Sequence, residues 1–210
     1  MGFIPVAHAG EEGGPENIRD SLDLLKARRI DHGVRCLEDG AVVERLAKEQ
    51  IPLTCCPCSN HRLNVFSRYF GGRNVTSELL KRGLKVTINS DDPAYFGGYM
   101  NNNYCRVVSD CSLKVDDVYQ LCRNSFESTF LPESNEDDEV TDQGQGQGTG
   151  RSKGAGKAQY IQELNAFRDN FDAEPRSSAR VRERNVSIAV AIGAAVAAIV
   201  VLVLVNRTTK

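Results

Sequence analysis

Four times within its first hundred residues the chain runs through a short apolar stretch, halts at a polar cluster, and enters a helix-like segment. The clusters are His8-Ala9-Gly10-Glu11, Asp31-His32-Gly33, Ser59-Asn60 and Ser90-Asp91-Asp92-Pro93. This rhythm limits the fold more tightly than composition does. Strands that each feed a helix run parallel and are joined by right-handed crossovers. Polar, metal-competent side chains at successive strand ends are how a parallel β/α barrel assembles an active site.

The first unit is a strand over Phe3 to Ala7, then a helix in which Pro15 suits the first turn and Ile18, Leu22 and Leu25 fall at i, i+4 and i+7. The second is a strand over Arg29 to His32 and a helix from Asp39, its N-cap, to Glu49, with Val42, Val43, Leu46 and Ala47 inward. The third is Pro52 to Pro57, an irregular stretch through Gly72, and a short helix that Thr76 caps and Gly83 stops. In the fourth, Leu84, Val86 and Ile88 alternate with Lys85, Thr87 and Asn89 up to Ser90; a long loop follows, and helical spacing resumes over Val115 to Phe126. Eight such units close a barrel and four do not. The rhythm therefore fits half of a TIM-type barrel, or an open four-stranded sheet with helices.

These units fill residues 1–131. Residues 132–157, acidic and then Gln/Gly-rich, are expected to be a disordered insert. Residues 158–172 carry Tyr160, Ile161, Leu164 and Phe167 at amphipathic spacing, and 173–185 form an Arg-rich lead-in. Residues 186–205 are apolar except for Ser187 and Gly193. As a helix they would extend about 30 Å, the thickness of a bilayer's hydrocarbon core. Arg176, Arg180, Arg182 and Arg184 precede this run and only Arg207 and Lys210 follow it, within the short tail 206–210. The positive-inside rule then predicts a single-pass C-terminal tail anchor with residues 1–131 in the cytosol.

A net charge of −2, with no basic stripe interleaved with aromatics, argues against nucleic acid as a partner. Seven cysteines, an odd number, without an N-terminal signal peptide predict reduced thiols rather than a disulfide framework. Cys55, Cys56, Cys58 and His61 cluster, but not as paired Cys-x-x-Cys knuckles, and neighbours on a strand point opposite ways. They read as buried thiols near the mouth of the site.

An imidazole and a carboxylate, His8 and Asp91, are good ligands for zinc. Glu11, three residues after His8 and across a glycine, is placed to shuttle protons beside a metal without ligating it. His32, at the next strand end, can orient an attacking water. Asp91 and Asp92 precede Pro93 at the fourth strand end; one can bind metal while the other accepts a hydrogen bond from substrate. Each motif alone has a plainer reading, a core histidine or a turn. Their recurrence at successive strand ends carries the functional one.

His8-Ala9-Gly10-Glu11, Arg29-Ile30-Asp31-His32-Gly33, Cys56-Pro57-Cys58-Ser59-Asn60 and Asn89-Ser90-Asp91-Asp92-Pro93-Ala94 together resemble the C-terminal half of the adenosine/adenine deaminase family, over about residues 4–131. Ala94-Tyr95-Phe96-Gly97-Gly98-Tyr99 and Asn124-Ser125-Phe126-Glu127 resemble its adenine branch. The resemblance implies the C-terminal half of a (β/α)8 zinc barrel that replaces the 6-amino group of a purine with oxygen and releases ammonia. It implies His8 and Asp91 as zinc ligands, Glu11 as proton donor to the ring nitrogen, His32 as the group orienting the nucleophile, Asp92 on the purine's imidazole edge, and Gly10 against the ring. Residues 158–172 would be the last helix of the deaminase region.

The family draws two further ligands for its single zinc from a His-x-His on the first strand. The histidines here are His8, His32 and His61, with no His-x-His among them. Two expectations follow. Either the chain is one part of an active purine deaminase whose other ligands come from an N-terminal half, or it is a catalytically inactive, membrane-anchored fragment.

Overall fold

A computed structural model describes residues 3–131 and 157–172. The chain forms β1 (Ala7–Ala9), α1 (Pro15–Asp23), β2 (Ile30–His32), a 3₁₀ turn (Val34–Glu38), α2 (Gly40–Glu49) and β3 (Leu53–Cys55). There follow α3 (Pro57–Arg62), α4 (Val65–Phe70), α5 (Thr76–Lys81), β4 (Val86–Ile88), α6 (Pro93–Phe96), α7 (Met100–Cys111), α8 (Val115–Glu127) and α9 (Lys157–Asp172). The strands make one parallel sheet in the order β1-β2-β3-β4. This is the α/β architecture expected of consecutive β/α units.

The strand register sorts the residues into rows. Ala7, Ile30, Leu53 and Val86 are partners across the sheet, and all four are buried. One residue further along, His8, Asp31, Thr54 and Thr87 form a polar row. Successive side chains on a strand face opposite ways, so the sheet has an apolar face and a polar face. The apolar face builds the core with Ile18 of α1, Leu46 of α2, Leu79 of α5 and Leu121 of α8, each fully buried. Full burial of each such side chain contributes about 1.5–3 kcal/mol.

Local chemistry sets the helix ends. Asp39, with φ −136°, accepts from the Ala41 and Val42 amides at 2.9 and 3.3 Å and so caps α2, as its side chain predicts. At α5 the expected cap is displaced. Asn74 Oδ1 accepts from the Thr76 amide at 3.1 Å and from its hydroxyl at 2.8 Å, leaving Thr76 as the first helical residue. Gly83 takes the left-handed conformation (φ 75°) just beyond that helix.

Three boundaries depart from the sequence reading. The first strand lies at Ala7–Ala9, later than Phe3–Ala7, because only there does it pair with β2. The stretch expected to be irregular up to Gly72 contains α3 and α4. The buried positions of α3 are Pro57, Cys58, Ser59 and Asn60, so it shows no apolar stripe. The expected long loop after Ser90 contains α6 and α7; the asparagine-rich start of α7 disguises a helix whose Tyr104, Val107 and Val108 are buried.

Helix α9 starts one residue before the expected boundary and packs on α8. Tyr160 stacks on Phe126 with ring centroids 5.7 Å apart, and Arg168 pairs with Asp116 at 2.9 Å. Among the described residues no helix is long and apolar enough to cross a membrane. The expected span at 186–205, the Arg-rich lead-in, the short tail and nearly all of the expected insert lie outside those residues.

Candidate active site

The polar row opens into a cavity of about 340 Å³ lined by His8, Asp31, His32, Thr54, Cys56 and Asp91, together with Arg29 and Asn89. His8, Asp31 and Thr54 reach it by strand alternation, and Cys56, two residues beyond Thr54, falls on the same side. His32 breaks the pattern, since alternation would send it to the apolar face with Ile30. Its φ of 66° ends the extended run and its ring lines the cavity instead. Asp91 is also left-handed, with φ 56°. Non-glycine residues held in this region cost about 1–3 kcal/mol each and cluster at functional sites.

Two glycines make the close packing behind the site feasible. Gly10 has φ 72°, and a Cβ there would lie 2.5 Å from Ile18 Cδ1 and 3.1 Å from Gly33 Cα. Gly33 has φ 69°, and its amide donates to the Ala9 carbonyl at 2.9 Å. The tight turns after β1 and β2 therefore lock together.

Glu11 stands at the centre and is 4% exposed. Its Oε2 lies 3.1 Å from His8 Nε2. Its Oε1 accepts from Asn60 Nδ2 at 2.7 Å and lies 3.3 Å from His32 Nδ1. His32 is equally enclosed. Its Nδ1 is 3.2 Å from Asn60 Nδ2, and its Nε2 is 3.8 Å from Asp91 Oδ2. The His8 and His32 rings are 4.5 Å apart between centroids. Beside this group Asp31 accepts from Thr54 Oγ1 at 2.7 Å and pairs with Arg29 at 3.3 Å.

Burial holds the His32 pKa below the ordinary histidine value; the nearby Glu11 carboxylate opposes that shift and His8 adds to it. The imidazole is thus neutral near pH 7, with a nitrogen able to accept. Burial also pushes the Cys56 thiol well up, so it carries its proton.

Of the residues expected from sequence, His8, Glu11, His32 and Asp91 come together. Gly10 lies beneath the site, packed on Ile18 and Gly33, and does not line the cavity. Asp92 is exposed at the start of α6 and is likewise outside the lining. Sequence reasoning assigned no role to Asn60, although Ser59-Asn60 stood out as a polar cluster. Its contacts with Glu11 and His32 span 49 and 28 residues, and no local pattern announces them. Thr54 and Cys56 had a signal in strand alternation.

The adenosine deaminase family model matches residues 1–143. The chain belongs to the adenosine deaminase family. An adenine deaminase of Hahella chejuensis is 57% identical over 130 residues, covering 62% of this chain and 38% of that protein. An adenine deaminase of Cupriavidus metallidurans is 41% identical over 181 residues, covering 86% of this chain and 45% of the relative. The matched part of the chain thus spans about two fifths of the length of these deaminases. Among solved structures, adenine deaminase from Arthrobacter aurescens superposes with a TM-score of 0.64 at 38% identity, covering 78% of this chain and 43% of that one. A zinc-bound amidohydrolase from Burkholderia ambifaria, 22% identical with a TM-score of 0.59, shares the fold, covering 82% and 43%. The parallel α/β sheet thus fits a partial TIM-type barrel, as the resemblance implied.

Proposed function

We propose that residues 3–131 and α9 are the C-terminal half of a (β/α)8 deaminase that hydrolyses the 6-amino group of a purine, with adenine the first substrate to test and adenosine the second. The observation that supports this most is the convergence of His8, His32 and Asp91 on one cavity from three different strand ends, with buried Glu11 held against both histidines. The identity to adenine deaminases favours adenine.

The donor set suits one zinc ion. His8 offers an imidazole with a side chain 64% exposed, Asp91 a carboxylate 25% exposed, and both line the same cavity. Two protein ligands fall short of the three or more that catalytic zinc takes, so the remainder would come from a His-x-His half. When bound, zinc acts as a Lewis acid and makes water nucleophilic near neutral pH.

The other steps belong to the chain's own residues. Glu11, fixed by Asn60, takes a proton from the attacking water and passes it to the ring nitrogen beside the attacked carbon. Neutral His32 accepts a hydrogen bond from that water and sets its approach. Asp92 and Gly10 are proposed for purine recognition by family resemblance. Residues 186–205 are proposed to anchor the chain to a membrane with the deaminase region in the cytosol.

The test is ammonia release from adenine by a protein in which this chain is joined to the His-x-His half of an adenine deaminase. Activity that Glu11→Gln abolishes is the expected result. No ammonia from any 6-aminopurine, in a folded and zinc-loaded protein, would reject the proposal and leave the inactive-fragment reading.

A further inference from the structure

Cys56 lines the cavity, yet the proposed deamination gives it no task. Its thiol, one residue beyond β3, lies on the same side as Thr54, donates to the Thr54 carbonyl at 3.5 Å, and belongs to a residue 5% exposed. A ring nitrogen of His32, the Cys56 sulfur and a carboxylate oxygen of Asp91 all lie within 4.8 Å of one another. Ligand atoms around a tetrahedral zinc, at bond lengths near 2.0–2.3 Å, sit roughly 3.3–3.8 Å apart. The His32 Nε2 to Asp91 Oδ2 distance of 3.8 Å lies at the wide end of that spacing, within a small side-chain adjustment of it.

The outer contacts of the imidazole suit ligation as well. A ligating histidine characteristically donates its second ring N–H to a carboxylate; His32 Nδ1 lies 3.2 Å from the Asn60 Nδ2 donor and 3.3 Å from Glu11 Oε1, so it takes that role once the ring proton moves to Nδ1. With the proton on Nδ1, the Nε2 lone pair is directed toward Asp91. A thiolate, an imidazole and one carboxylate select soft or borderline cations and exclude magnesium and calcium.

We propose that His32, Cys56 and Asp91 form a second, thiophilic cation site on the cavity wall, with a ligand set distinct from the His8–Asp91 pair, that takes Zn²⁺ or Cd²⁺. Binding exchanges the Cys56 S–H bond for a metal–sulfur bond and releases one proton to solvent, with no change of oxidation state. Because the site shares Asp91 and His32 with the proposed reaction, filling it removes both from catalysis. The site does not rest on purine deamination, since Cys56 takes no part in that chemistry, and it is tested without substrate.

Cadmium chloride is titrated into the reduced full-length chain while the ultraviolet cadmium–thiolate charge-transfer band is followed. The expected result is a saturating band at one equivalent, with Cys56→Ser and Asp91→Asn each weakening binding at least tenfold and Cys58→Ser leaving it unchanged. Asparagine adopts left-handed backbone readily, so Asp91→Asn keeps the fold and serves if Cys56→Ser does not. The absence of a band in the wild-type chain, or an unchanged titration in Asp91→Asn or in folded Cys56→Ser, overturns the proposal.

Discussion

The Asn60 amide donates to the Glu11 carboxylate at 2.7 Å across 49 residues of sequence, with Asn60 fully buried and Glu11 nearly so. A short helix after β3 thereby fixes the carboxyl group that follows β1. Hydrogen bonds to a buried charged group are worth about 1.5–3 kcal/mol, and their loss leaves the charge without its partner.

Asn60→Ala is therefore expected to destabilise the full chain by about 1–3 kcal/mol, read as a lower urea midpoint. In the joined enzyme the same change should lower kcat by roughly ten- to a hundredfold, in line with the worth of a positioned acid–base group. It should change KM less, because Asn60 touches Glu11 rather than the cavity.

His32 is held neutral by burial, so its folded pKa lies below the unfolded value of 6.5. Above 6.5 both states are neutral and the group adds no pH dependence. As pH falls through 6.5 the unfolded chain takes up a proton that the folded chain refuses, and stability drops until the folded value is passed. Metal-free wild-type protein should lose more urea resistance between pH 7.5 and 5.5 than His32→Asn does. Parallel losses in the two proteins would count against a buried neutral imidazole.

Glycine substitutions should separate two kinds of site. Gly10→Ala places a Cβ against Ile18 at a left-handed position and is expected to cost about 1–3 kcal/mol. Gly40, the first residue of α2, has nothing within 4 Å of an added Cβ. Gly40→Ala should be neutral or stabilising by up to about 1 kcal/mol. Equilibrium denaturation of the two variants checks both signs.

Burial pushes the Cys36 and Cys122 thiols up to about 12. Native protein treated with iodoacetamide at pH 8 should therefore leave both unmodified, while half-exposed Cys105 reacts. Peptide mass mapping before and after unfolding in urea reads this directly.

Fused to a fluorescent reporter, residues 186–205 with their Arg-rich lead-in should send it to membranes; a soluble reporter would remove the anchor from the proposal.

Much of the scaffold was legible without coordinates because it is local. Apolar alternation marked β4, i/i+4 spacing marked α1 and α2, and Asp39 announced its own cap. The site histidines and acids were legible because they recur where strands end. Helices α3 and α7 were not, since their buried faces carry Ser59, Asn60 and Asn103, polar groups that only distant partners make worth burying. Sequence alone determined the parallel β/α order and singled out His8, Glu11, His32 and Asp91, which the fold brings together. Tertiary structure decided that His32 turns off the apolar face through a left-handed backbone, that Asn60 holds Glu11, and that Cys56 joins the cavity while Asp92 and Gly10 stay outside its lining. Those facts depend on the strand register and on contacts dozens of residues apart, and no periodicity along a chain encodes the direction in which a side chain leaves a strand end.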